Sequence, residues 1–89
     1  MFTKGQIVFS KTGRDKGKAF IVVLVDRDEK YVHICDGKVH KLDKSKKKNA
    51  KHIQMTNIID ENLKSLIEND GYIQDAMIRK ALLPFISIN

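Results

Sequence analysis

The residues in this chain best equipped for chemistry are clustered cations. Thr12 to Phe20 reads TGRDKGKAF and brings two glycines, a Gly-Lys pair and the cations Arg14, Lys16 and Lys18 into one short stretch. Farther on, Lys41, Lys44, Lys46, Lys47, Lys48 and Lys51 crowd 11 residues in which Asp43 is the only acid. Cationic side chains at this density attract polyanions and release their condensed counterions. The first stretch could cradle the phosphates of a nucleotide, or it could be a turn that presents charge to a larger polyanion.

The nucleotide reading fails on spacing. A phosphate-cradling P-loop needs G-x-x-x-x-G-K-[ST] between a strand and a helix whose first amides face the phosphates. Here three residues separate Gly13 from Gly17, and Ala19 follows Lys18 where a magnesium-binding hydroxyl would stand. The apolar run that comes next reads as a strand. As a turn, the stretch is chemically consistent: Gly13 and Gly17 permit positive φ, and Gly17 leaves room for a partner to approach the backbone.

Other chemistries have less support. His33 and Cys35 are two apart on one strand face, with His40 and His52 as further nitrogen ligands. This spacing matches no standard zinc module, so a half-buried sheet surface is the expected role and no metal is expected. Cys35 lacks an adjacent activating cation, and no carboxylate pair has a recognisable catalytic setting. The chain therefore reads as a non-enzyme without a cofactor.

The elements that must position these residues change period once. Up to about Ile53, short runs rich in Val, Ile and Phe alternate with Gly, Asp and Lys turns, predicting strands near 6–11, 19–26, 30–35, 38–42 and 52–56. AFIVVLV, residues 19–25, is apolar on both faces and predicts the most buried strand. In KYVHIC, Val32 and Ile34 alternate with Tyr31, His33 and Cys35. Residues 26–30 and Asp36-Gly37-Lys38 read as hairpin turns, and the lysine run reads as a loop held extended by its own repulsion. After Ile59 the period becomes helical. Asp60 is the expected N-cap and Gly71 the expected left-handed C-cap, and a second helical segment ends before Pro84. The two short helices are expected to pack on the sheet.

Charge and length narrow the partners. Residues 1–52 carry 14 Lys/Arg against 6 Asp/Glu, a net +8, whereas residues 53–89 carry a net −2. A basic half beside a mildly acidic one suggests a polyanion-binding face, nucleic acid first. A chain of 89 residues builds one modest core. The longest apolar run, Ala19 to Val25, is far short of the ~20 residues of a membrane-spanning helix. Met1 to Lys4 leads straight into patterned sequence, and the single Cys35 forms no internal disulfide. A cytoplasmic protein without a membrane partner is expected.

KGQIVFSKTGRDKGKAFIVVLVD, from Lys4 to Asp26, resembles a KOW motif: a strand, a loop with glycine and basic residues, and a second strand. Together with YVHICDGKVHKLDKSKKKNAKHI and the helical DAMIRKAL, it is similar to the small bacterial KOW proteins related to the fourteen-e large-subunit ribosomal proteins. Gly17 matches the motif's characteristic glycine and Lys16 and Lys18 its basic neighbours, while Phe20 stands where many KOW segments carry another glycine. The resemblance implies a mainly β fold, a small SH3-like barrel of about five strands over residues 1–56 with a helical extension over 57–89. It also implies RNA binding, to ribosomal RNA or a ribosome-associated complex. Arg14, Lys16, Gly17 and Lys18 would act at one loop, and Lys41, Lys44, Lys46, Lys47, Lys48, Lys51 and His52 along the run. His40 would add a polar contact and Tyr31 a stacking surface. The alternative is a protein-interaction module for ribosomal or transcription proteins, using the barrel and the apolar tail LLPFISIN. Folded RNA is favoured over duplex DNA because no helix is basic enough to read a major groove.

Overall fold

A three-residue link joins strands that lie at opposite edges of the sheet, and this sets the shape of the molecule. The structure, a computed structural model, describes residues 1–86. It is mainly β: β1 (Gln6–Ser10), β2 (Ala19–Val25), β3 (Tyr31–Cys35), β4 (Lys46–Asn49) and β5 (Ile53–Ile59) form one antiparallel sheet in the order β4-β3-β2-β1-β5. In a flat sheet, β4 and β5 would lie about 19 Å apart. The chain from Asn49 to Ile53 reaches about 14 Å at most. The sheet must therefore curl. Register shifts between Val22 and Leu24 on β2, and between Gln6 and Val8 on β1, supply local bends. The 3-10 turn Ala50–His52 bridges the gap, donating from the Ala50 amide to the Lys30 carbonyl and accepting at His52 from the Lys11 amide, each at 2.8 Å.

Curling gives the sheet two separately filled faces. Val8, Phe20, Val22, Val32, Ile34 and Ile53 pack on one another without a helical residue among them, so they occupy the inside of the curl. On the other face Ile7, Ile21 and Cys35 pack with Leu63, Ile78 and Leu82 from the helices α1 (Glu61–Glu68) and α2 (Asp75–Leu82). Alternation along β2 feeds both cores: Phe20 and Val22 face inward, Ile21 faces the helices, and all three are fully buried. β2 is the central strand of the five, but it is not the most buried as its apolar sequence predicts: β1 buries four of its five residues, whereas β2 buries three of seven and leaves Leu24 exposed.

The turn at residues 26–30 forms as expected, closed by the Asp26 amide on the Tyr31 carbonyl, with Glu29 left-handed at φ +58°. Asp60 caps α1, its carboxylate accepting from the Leu63 amide at 3.0 Å. Three expectations are corrected. Residues 38–42 are not a strand. Asp36 folds back on itself by accepting the amides of Lys38 and His40, and the chain then enters a 3-10 turn at Leu42–Lys44. Leu42 is drawn toward the helical core and donates its amide to Asp75 at 2.9 Å, which pulls the segment off the sheet edge. The fourth strand is instead Lys46–Asn49, within the lysine run that was expected to be a loop. At the end of α1 the left-handed residue is Asp70, at φ +53°, not Gly71. A side chain at Gly71 would press on Leu66, whose Cδ2 would have to move aside.

No helix among the described residues is long and apolar enough to cross a membrane. Of the apolar tail, Leu82 to Ile86 are described, and residues 87–89 lie outside the described residues.

Candidate nucleic-acid interface

The loop between β1 and β2 owes its shape to two glycines and one acid. Gly13 and Gly17 take φ of +75° and +84°, conformations that cost an L side chain about 1 kcal/mol or more. The amides of Lys16, Gly17 and Lys18 donate to the carbonyls of Gly13, Ser10 and Asp15 at 3.2, 2.8 and 2.9 Å. These amides hold the loop closed and are not directed at a ligand. A Cβ at Gly17 would meet nothing within 4 Å, so within the chain itself this glycine is needed for its backbone angle alone. Arg14, Lys16 and Lys18 are exposed around it.

Asp15 points the other way. It is 9 % exposed, and its Oδ2 lies 3.1 Å from Lys46 Nζ and 3.2 Å from His40 Nε2, while Lys18 Nζ stands 4.0 Å from Oδ1. Burial alone would raise the Asp15 pKa. The hydrogen bonds from Lys46 and His40, reinforced by their charges, outweigh burial and hold the carboxyl below the ordinary aspartate value. One buried carboxylate thus fixes the β1–β2 loop against β4.

The register explains how three successive lysines form a strand. Val32 pairs with Lys48 and Ile34 with Lys46, which places both lysines on the inner face, where their aliphatic stems border the core and their ammonium groups reach the rim. Lys46 goes to Asp15, and Lys48 Nζ donates to the Thr12 carbonyl at 3.4 Å. Lys47 pairs with His33 on the outer face, 3.5 Å from Asp26 and 4.7 Å from the centroid of the Tyr31 ring. Asp26 is held below its ordinary pKa, first by its 3.0 Å hydrogen bond with His33 and, against some burial, by the charge of Lys47. Alternation and two acids from distant turns dissipate the repulsion that a loop reading assumes. Lysines on an edge strand also discourage pairing with a neutral strand.

The structure therefore brings together Arg14, Lys16, Gly17 and Lys18 with Lys46 and Lys48, turns Lys47 to the other face, and sets Lys51 and His52 on the bridge beside Lys11. Lys41 and Lys44 ride on the 3-10 turn tied to α2. Among the described residues no hydrogen bond or ion pair links them to the β1–β2 loop. Sequence reasoning missed Lys11 and Asp15 as members of this junction and gave His40 a polar contact to RNA, not the bond to Asp15. Asp15 had a signal, being the lone acid among the cations of residues 11–18.

The histidines and the cysteine, from which no metal site was expected, lie apart. His33 faces Asp26, His40 faces Asp15 beside the Phe20 ring, and Cys35 is fully buried with its thiol pushed up to about 12, by burial first and then by Asp75 and Asp36. Among the described residues no group of three or more His, Cys, Asp or Glu is placed to hold a metal ion. Comparison with models of known protein families returns no match, and no curated protein matches the chain.

Proposed function

We propose that this protein binds folded RNA by its phosphate backbone, on the surface where the β1–β2 loop meets β4, and that its curled sheet is an SH3-like barrel of the KOW type acting in the cytoplasm on ribosomal RNA or a ribosome-associated complex. The observation that carries the reading is the junction at Asp15: two basic stretches far apart in sequence share one rim, with Arg14 and Lys16 exposed on one side and the half-buried Lys48 on the other, its Nζ at the Thr12 carbonyl. A buried acid satisfies the inner cation, Lys46, and leaves the outer ones available to phosphates. Contacts of this kind supply affinity and orientation but read no bases, so shape is what the protein would select. Lys51, on the bridge beside Lys11, extends the rim toward the end of β1. The sequence resemblance to KOW proteins supports the same partner.

The reading is tested by crosslinking in cells followed by sequencing of bound RNA. Enrichment of structured ribosomal RNA, lost on combined Arg14→Gln, Lys16→Gln and Lys48→Gln, is the expected result. Crosslinks that survive those changes would place any RNA contact elsewhere.

A further inference from the structure

We infer that the groove between the β1–β2 loop, the Asp36–His40 turn and the C-terminal end of α2 docks an acidic protein segment bearing a bulky apolar side chain. The groove has a volume of about 590 Å³, in the range of built ligand sites. Its lining includes apolar side chains open to solvent, Val39, Leu83 and Ile86, exposed at 74 %, 63 % and 45 %. Water-facing aliphatic side chains gathered at one depression are a feature that partners cover. Its rim is cationic: Lys16, Lys18, Lys38 and Arg79 face a single acid, Asp36, one of whose oxygens is already taken by the amides of Lys38 and His40. Among the described residues Lys16, Lys38 and Arg79 have no ion pair, and Lys18 has only the 4.0 Å approach to Asp15. Arg79 is held in place by donating to the Gly37 carbonyl at 2.7 Å.

An apolar lining among cations that, within the described residues, have at most one long ion pair complements an amphipathic anion. A nucleobase fits less well, because bases dock on open aromatic faces or on matching polar edges. Here the exposed apolar lining is aliphatic, and the one ring, Phe85, packs edge-on against Phe9 with centroids 6.5 Å apart. A leucine, phenylalanine or tryptophan would cover that lining while flanking carboxylates meet Lys16, Lys18, Lys38 and Arg79. This inference goes beyond RNA binding. Lys16 and Lys18 border both surfaces, so the discriminating positions are Val39 and Leu83, which phosphate contact does not require.

The test is selection of displayed random peptides on the protein, with counter-selection on Leu83→Asp. The expected peptides carry Asp and Glu around at least one large apolar residue. A synthetic copy should shift the amide resonances of Ala19, Val39 and Leu83, and it should bind about tenfold more weakly or worse to Val39→Asp and to Lys38→Glu. The exposure of these side chains leaves the fold intact, which circular dichroism checks. Failure to obtain Leu83-dependent peptides, or peptides free of acids, overturns the inference. So does an oligouridine RNA that shifts the same resonances in preference to the peptide.

Discussion

The Nζ of Lys46 lies 3.1 Å from Oδ2 of Asp15, a contact between residues 31 apart in sequence that couples the β1–β2 loop to the edge strand β4. Lys46 is half-buried and Asp15 nearly fully so, which sets this pair apart from surface ion pairs of little net worth. Breaking it from the Asp15 side would leave Lys46 and His40 facing each other without a carboxylate.

Stability should therefore fall in acid for an identifiable reason. The folded Asp15 and Asp26 carboxyls both sit below the ordinary aspartate value of 3.8. Groups with lowered folded pKa stabilise above their unfolded pKa, and that contribution is lost as pH falls through the folded one. Urea midpoints should be level above about pH 5 and should decline below about pH 4. Asp15→Asn should lower the plateau by about 1–2 kcal/mol and flatten the acid limb. An unchanged acid limb would remove Asp15 from this role.

The two glycines at positions 17 and 37 should respond differently to alanine. Gly17→Ala meets no atoms and should cost about 1 kcal/mol through its positive φ alone. At Gly37, φ is +76° and a Cβ would lie 2.5 Å from the Asp75 carbonyl oxygen and 2.9 Å from Arg79 Cγ. Gly37→Ala should cost about 3 kcal/mol or more, because α2 must shift as well. Thermal denaturation of the two variants ranks them, and equal losses would contradict the packing described.

What the sequence discloses here is local, and what it conceals depends on distant partners. The apolar AFIVVLV run, the 26–30 turn and the Asp60 cap follow from residues within a few positions of one another. The strand at Lys46–Asn49 does not, because Lys46 and Lys47 tolerate their neighbours only through Asp15 and Asp26. Val39 and Leu42 lie in the segment read as a strand near 38–42, yet Asp75, 33 residues away in sequence, captures the Leu42 amide. For the candidate interface the same division holds. The cations of the β1–β2 loop were legible as a cluster, whereas the buried acid that joins them to β4 depends on a partner 31 residues away, and the turning of Lys47 to the opposite face follows from alternation only once the run is known to be a strand.

Cys35 should be chemically silent in the native protein. A fully buried thiol pushed up to about 12 is protonated throughout the neutral range, and the thiolate is the reactive form. Modification by iodoacetamide at pH 8 should proceed only at the rate of unfolding and should accelerate in denaturant. Rapid labelling of the folded protein would show that the helical face of the sheet opens readily.

Among the lysines of β4, stability and RNA affinity should separate. Lys46→Gln weakens the contact to Asp15 and should lower thermal stability, while Lys48→Gln removes only a 3.4 Å bond to the Thr12 carbonyl and should leave it nearly unchanged. In RNA binding the order should reverse, Lys48→Gln costing more than Lys46→Gln. Matched effects in both assays would mean that β4 contributes to the fold alone.

The central claim, that one rim built from the β1–β2 loop and β4 binds RNA through phosphates, is tested most directly by measuring affinity for a folded ribosomal RNA fragment across a salt series. With about four to six phosphates contacted, log K should fall against log salt with a slope of roughly −3 to −5. Arg14→Gln and Lys48→Gln, drawn from the two separate elements, should each reduce the slope by about 1. A flat salt response, or a slope that neither substitution changes, would contradict the account.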